Sequence, residues 1–532
     1  MVSVRWSAWS KPMRFILVLF DSLNRRALGS YGGTLPTPNF DRFAARAVTF
    51  DTHYVGSLPC MPARRDIHTG RLNFPHRSWG PLEPFDNSFA EILKQGGVHT
   101  HLVTDHAHYF EEGGATYHTR YSTWDFIRGQ ENDPWKAMVQ PPLERFREKF
   151  DQRHYPFGHD IDASSRMRLQ HAINKETMRE EADYPGPRCF AAGLEFLEAN
   201  KDADGWFLQI ECFDPHEPFD APERFRQTFE SGWRGGVLNW PFYEHVTDSA
   251  EEVAEIRGNY AALVAMCDAY FGRLLDFMDR GEMWNDTALV LTTDHGFLLS
   301  EHDWWGKNLQ PYYEEISHIP LIAHHPDFAS FAGSRQAALT QTYDLMPSIL
   351  DCFGVKGPAE VQGRSVFSIL RGKGRLREVG IFGMFGGPIG ATDGRYAYYI
   401  YPEDLYATGL HEYTLMPMHI RSMMTAAELA SAELVSGFGF TRQMPLLRID
   451  ATRDSRRIPN VDRRVFENMG TQLFDLAKDP QQFAPFRDDS VEAGLREGIR
   501  MVLETHEAPP EIYLRYGLGG PSHKATSMLR RH

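Results

Sequence analysis

The sequence predicts an α/β fold in which a large mixed, mostly parallel sheet is sandwiched by helices, followed by a smaller α+β C-terminal domain. Three observations carry that expectation. Five apolar runs, "RFILVLFDS", "THLVTDH", "WFLQIECFDPH", "TALVLTTDHG" and "IPLIAHHP", each close on polar, ligand-type residues. Their apolar residues are continuous, the pattern of parallel strands buried on both faces. Helical patterns such as "FDRFAARA" and "ALVAMCDAYFGRLLDFMDR" lie between them, and alternating strands and helices give a parallel sheet covered on both sides. Such sheets bind ligands outside the carboxyl ends of their strands, so the polar strand ends are expected to converge.

Taken in order, the first strand closes at Asp21, the second at Thr104 to His106, the third before His216, and the fourth at Asp294 and His295. After about Arg375 the texture changes to short aromatic runs, "YAYYIYPEDLY", "LHEYTLMPMHI" and "TQLFDLAKDP", and a last helical pattern, "SVEAGLREGIRMVLETH". The expected organisation is a catalytic α/β domain over 1–375, a C-terminal α+β domain over 376–510 and a tail over 511–532.

Bulk properties narrow the function. Fifty-six basic against 71 acidic residues give a net charge of −15, which argues against a nucleic-acid or anionic-membrane surface and requires a locally positive pocket for any anionic substrate. Five cysteines, Cys60, Cys189, Cys212, Cys267 and Cys352, are odd in number and form no CxxC pair; they are not a disulfide framework. The early run "FILVLF" is too short for a signal segment and meets Asp21 at once, and no span reaches the roughly 20 apolar residues of a membrane helix. The expectation is a cytoplasmic enzyme with no membrane partner.

The stretch "GSLPCMPARRDIHTG" places Cys60 in what reads as a proline-flanked turn, four residues before Arg64. By itself CxPxR is a short pattern, and a lone cysteine is often just a small buried hydrophobe. Its surroundings change that reading. "LGSYGGTLPTPNFDRFAARAVTFDTHYV" precedes it and "HTGR" follows; "FDPHEPF", "TTDHGFLLSEHDWWGKNLQPYYEEISHIPLI", "TYDLMPSILDCFGV" and "QLFDLAKDP" come later. In that order these segments resemble the sulfatase family of the alkaline-phosphatase-like superfamily, from Met13 to about Pro480.

The resemblance implies that a separate maturation enzyme oxidises Cys60 to formylglycine, whose hydrate offers one hydroxyl to attack and a second to expel the product. It also implies one divalent cation, held by Asp21, Asp294, His295 and the residue at position 60, because such a hydroxyl is a poor nucleophile without a cation. Two departures matter here. Ser22 stands where most members carry a second acidic residue, and His295 where many carry Asn. Two carboxylates and an imidazole suit Mn²⁺, with Ca²⁺ the alternative. Arg64 matches the family's anchor for the nucleophile, with Arg65 a surface or packing charge, and His216 and Lys307 match groups that grip the sulfate and protonate the departing oxygen. The family's GKxH segment is missing. "VTDHAHYFEEGG" replaces it, so Thr104, His106 and His108 are assigned to the substrate side, with either histidine as the substitute base; without the resemblance this segment reads as an exposed loop.

The resulting expectation is a sulfuric ester hydrolase, arylsulfatase-like, acting on a small anionic ester. A phosphonate monoester hydrolase or phosphodiesterase with the same machinery is the alternative, and a catalytically silent sulfatase-like binding protein the second alternative. The aromatics of "DWWGKNLQPYY" line an aryl or sugar pocket or belong to the core. Similarity to the phosphonate monoester hydrolases implies a homo-oligomer. In it Tyr513, Leu514, Tyr516 and Leu518 anchor the tail, with its basic Arg515, Arg530 and Arg531, on a neighbouring subunit.

Overall fold

The first apolar run forms the strand Arg14–Phe20 at the middle of an eight-stranded sheet. A computed structural model describes residues 13–158, 162–308, 311–405, 407–451 and 470–520. The strand is flanked by Trp206–Cys212 and Thr287–Thr293, both parallel to it, with Arg14 opposite Trp206 and Thr287 and Phe20 opposite Cys212 and Thr293. This register stops three neighbouring strands at one level. It therefore brings Asp21 and Asp294, each the residue after its strand, side by side.

Outward from the centre, His99–Thr104 and Thr123–Phe126 extend one edge in parallel. Leu321–His324, Val48–Phe50 and Arg335–Gln336 extend the other. The "IPLIAHHP" strand runs antiparallel to its neighbours, the feature that makes the sheet mixed. Alternate residues of the central strand enter opposite cores. Ile16, Val18 and Phe20 pack with Phe271 and Leu274 of the long helix Ala250–Arg280, while Phe15, Leu17 and Leu19 pack with Leu345 and Ile349 of the helix Leu345–Cys352. Ser249 and Glu252 close a capping box at the start of the long helix, satisfying amides that its first turn leaves without partners.

Past Arg375 the chain builds a four-stranded antiparallel sheet from Gly380–Gly383, Ile389–Thr392, Tyr396–Ile400 and Gln472–Asp475, and a three-stranded one from His411–Thr414, Glu433–Val435 and Leu446–Asp450. The helix Asp489–Thr505 lays Leu495, Ile499 and Leu503 on this region's core. The Asp488 side chain accepts from the amides of Ser490 and Val491 at 3.0 Å.

Two local expectations change. Cys60 opens the helix Cys60–Thr69 instead of sitting in a turn. The first part of the tail forms a short helix, Pro510–Arg515, on its own chain: Ile512, Tyr513 and Tyr516 are buried in the C-terminal core and Arg515 donates to the carbonyls of Gly386 and Leu405. Leu514 points to solvent. Arg530 and Arg531 lie outside the described residues. All five cysteines are buried and free, and no described helix is long and apolar enough to cross a membrane.

Tyr513 thus acts as a core residue of the C-terminal region. Tyr513→Ala is expected to lower unfolding stability by about 3 kcal/mol in urea; an unchanged midpoint would show that the segment does not help to hold this region together.

Candidate active site

Three strand ends meet one guanidinium. Arg64, one turn after Cys60 on the same helix, donates from Nη1 to the Cys60 carbonyl at 3.1 Å. Nη1 also reaches Asp294 Oδ2 at 2.5 Å, while Nε donates to Glu211 Oε1 at 2.6 Å and Nη2 to Asp21 Oδ2 at 3.1 Å. All four side chains are shielded from water. Burial by itself would lower the Arg64 pKa, but Glu211, Asp294 and Asp21 outweigh it and hold the guanidinium charged. Glu211 is held in turn by Tyr109 Oη and Gln209 Nε2.

Beside this network, ligand atoms of Asp21, Cys60, Asp294 and His295 all lie within 4.8 Å of one another. The carbonyl of Gly296 lies 3.0 Å from His295 Nδ1 and accepts a hydrogen bond from it. Nε2 is thereby left with a lone pair, 3.3 Å from Cys60 Sγ. Two carboxylates and an imidazole lone pair meeting at one point fit a divalent cation. The glycine of "DHG" is a packing requirement: a Cβ there would lie 1.9 Å from the Glu315 carbonyl oxygen.

Ser22 takes up the space of a further acidic ligand in a different way. Its backbone is left-handed at φ 63°, its amide donates to Asp294 Oδ1 at 3.1 Å, and its hydroxyl donates to Asp21 Oδ1 at 2.8 Å while accepting from Lys307 Nζ at 3.1 Å. Burial raises Asp21, but Lys307, His216 and Arg64 together hold it well below the usual carboxylate range. Burial and the neighbouring Asp21 push Asp294 the other way. Burial, then Asp21, pushes the Cys60 thiol up, so the unmodified side chain stays an SH group and not a thiolate nucleophile.

Above Cys60 opens a cavity of about 170 Å³. Cys60, His216 and Lys307 line it together with Trp79, Tyr243 and Arg421. Lys307 Nζ lies 3.4 Å from Cys60 Sγ and 3.6 Å from Asp21 Oδ1. Burial works against its charge, but the neighbouring carboxylates, Asp21 first among them, keep it an ammonium group. His216 Nδ1 is 2.6 Å from the Glu217 carbonyl oxygen, which leaves Nε2 as the nitrogen available to a substrate.

In the "VTDHAHYFEEGG" segment Thr104, Asp105, His106 and His108 are buried, not exposed. Of its three candidates only His108 lines the cavity, bonded through Nδ1 to Glu111 at 2.8 Å. His106 sits behind Asp21, with Nε2 3.4 Å from Asp21 Oδ2 and out of hydrogen-bond alignment. Thr104 turns its hydroxyl to the His106 amide at 3.0 Å and caps the strand end. Neither His106 nor Thr104 faces the cavity. Arg65 is a packing charge, not a surface one, paired with Asp86 at 2.7 Å inside the protein.

Trp304, Trp305, Tyr312 and Tyr313 of "DWWGKNLQPYY" belong to the core. The cavity's aromatics are instead Trp79, Tyr243 and Phe385. Several other residues escaped the sequence reading. Glu211 had a signal, a carboxylate inside a buried apolar strand. Arg421 had none: it arrives from the C-terminal region, donates to Glu111 at 3.1 Å and lies 3.3 Å from His108 Nε2.

The central strand ends of this mixed α/β sheet thus gather a candidate metal cluster, a buried arginine and a lysine beside one cavity. The sulfatase family model matches residues 14–355, and the chain belongs to the sulfatase family. N-acetylglucosamine-6-O-sulfatase of Bacteroides thetaiotaomicron is 24% identical over 426 residues, 69% of this chain and 72% of that protein. Arylsulfatase of Clostridium perfringens is 22% identical over 388 residues, 68% of this chain and 78% of that one. The solved phosphonate monoester hydrolase of Agrobacterium radiobacter has the same fold, with a TM-score of 0.60 at 17% identity over 94% of this chain and 96% of that one.

Removing one partner of a buried charge network leaves the others desolvated and unpaired. Glu211→Ala is expected to cost about 3 kcal/mol of unfolding stability. A denaturation curve matching that of the unaltered protein would show that Arg64 does not depend on this carboxylate.

Proposed function

We propose that the protein hydrolyses a sulfate ester, using formylglycine formed from Cys60 and one divalent cation held by Asp21, Asp294 and His295. The observation that carries this reading is the position of the Cys60 side chain, 3.3 Å from His295 Nε2 and 3.4 Å from Lys307 Nζ in the lining of the cavity. Formylglycine, once hydrated, supplies one hydroxyl to attack sulfur and a second to release the product. The cation, when bound, makes that hydroxyl acidic and offsets charge on the transferred group. Mn²⁺ suits the two carboxylates and imidazole, and Ca²⁺ is the alternative. Conversion of Cys60 requires a formylglycine-generating maturation enzyme as partner.

The chain's own groups do the rest. Lys307, charged and fixed by Ser22, holds the sulfate oxygens where negative charge grows. Arg64 keeps Asp21 and Asp294 in place and binds the carbonyl of residue 60, which orients the nucleophile. Cys60 heads a ten-residue helix, whose amino end favours developing negative charge. His216 Nε2 delivers a proton to the departing alcohol or phenol oxygen. His108, the loop histidine that faces the cavity, stands on the substrate side.

A second reading keeps the machinery and changes the substrate to a phosphonate monoester or phosphodiester, which presents the same single charge on a tetrahedral centre; the imidazole donor of His295 favours it. Peptide mass spectrometry should show CHO in place of CH₂SH at position 60, and Cys60→Ala should abolish turnover. Fully active protein that carries only the thiol would overturn the proposal. The kcat/KM for an aryl sulfate should exceed those for phosphonate and phosphodiester analogues; the reverse order would move the assignment to the second reading.

A further inference from the structure

The residue after His216 is an acidic side chain that the mechanism above does not use. Glu217 is buried at the cavity wall. Its carbonyl oxygen lies 2.6 Å from His216 Nδ1, and its carboxylate Oε2 lies 3.2 Å from the same nitrogen. That Oε2 has no hydrogen-bond partner, although it is shielded from water. The other oxygen, Oε1, accepts from Tyr243 Oη, which fixes the carboxylate.

We propose that Glu217 is the positioning residue that makes His216 a proton donor, its carbonyl aiming Nε2 into the cavity and its carboxylate standing as counter-ion to the imidazolium. The inference rests on the assignment of His216 as the proton donor. Two features call for such a partner. Burial, then the Lys307 charge, holds His216 well below the usual imidazole range, and burial pushes Glu217 up to about 7, so each charged form needs the other beside it. Asp21, the other candidate, already faces Arg64, Ser22 and Lys307. Glu217 Oε2 is uncommitted.

The step balances as follows. As the nucleophile hydroxyl gives its proton to solvent and its oxygen bonds to sulfur, the scissile S–O bond breaks and its electron pair stays on the departing oxygen. The Nε2 proton moves to that oxygen and gives the neutral alcohol. His216 is left a neutral imidazole, its Nδ1–H still on the Glu217 carbonyl, and regains a proton from water after product leaves.

A residue acting through the proton donor matters most when the leaving group is a poor one, whereas a merely structural residue depresses all substrates alike. The test compares kcat/KM for an activated nitrophenyl sulfate and an unactivated alkyl sulfate. In Glu217→Gln the aryl-to-alkyl ratio is expected to rise about 10²-fold, the lower end of general-acid contributions. Tyr243→Phe, which frees the same carboxylate with less disturbance, should raise it in the same direction by a smaller factor, and carries the test if Glu217→Gln does not fold. An unchanged ratio in the folded variants overturns the inference. His216→Ala separates the two levels. A raised ratio there with none in the Glu217 and Tyr243 variants removes Glu217 alone, and no change in His216→Ala removes the proton-donor assignment and this inference with it.

Discussion

The ion network of Arg64 with Asp21, Glu211 and Asp294 is the constraint on which the rest of the site depends. Three carboxylates on adjacent strands cannot all be buried unless a positive charge lies among them, because each isolated ion carries a desolvation cost of several kcal/mol. Arg64 supplies that charge from the side, with a fork of donors that reaches all three strands. Since Cys60 lies one turn earlier on the same helix, the network also fixes where residue 60 stands over the strand ends. A lysine could not substitute, having one point charge where three separate carboxylates must be met.

The rest of the site is arranged around that point. Asp21 follows the central strand and Asp294 its neighbour, so their proximity is a product of register, and His295 follows Asp294 without any further turn of chain. Lys307 comes in from a loop and is held to the same point through Ser22, whose left-handed backbone lets its amide and hydroxyl serve different carboxylates. The cavity above takes walls from both regions of the chain. Arg421, Met384 and Phe385 come from beyond the main sheet, so part of the cavity's shape comes from a stretch of sequence that supplies none of the cluster's residues.

Much of this was legible in the sequence because the signals were local. Continuous apolar runs ending in Asp21 or Asp294 gave both a buried strand and the end at which its chemistry lies. The helix starting at Cys60 was less visible: the flanking prolines favour a turn and equally suit the first turn of a helix. The loop from Thr104 to His108 read as exposed because its polar residues match a solvated loop. It is buried because those residues find partners remote in sequence, His108 in Arg421 and Asp105 in the Phe213 amide. Glu217 was hidden for a related reason, since its significance lies in a carboxylate geometry that the letters "HEP" do not specify.

The central claim is that the strand ends gather carboxylates and an imidazole in order to hold a cation against residue 60. Elemental analysis of the purified protein by mass spectrometry tests it most directly, with Asp294→Ala measured beside it. The account predicts one divalent cation per chain in the unaltered protein and its loss, together with activity, in the variant. A fully active protein without stoichiometric metal, or an Asp294→Ala variant that keeps both metal and turnover, would contradict it.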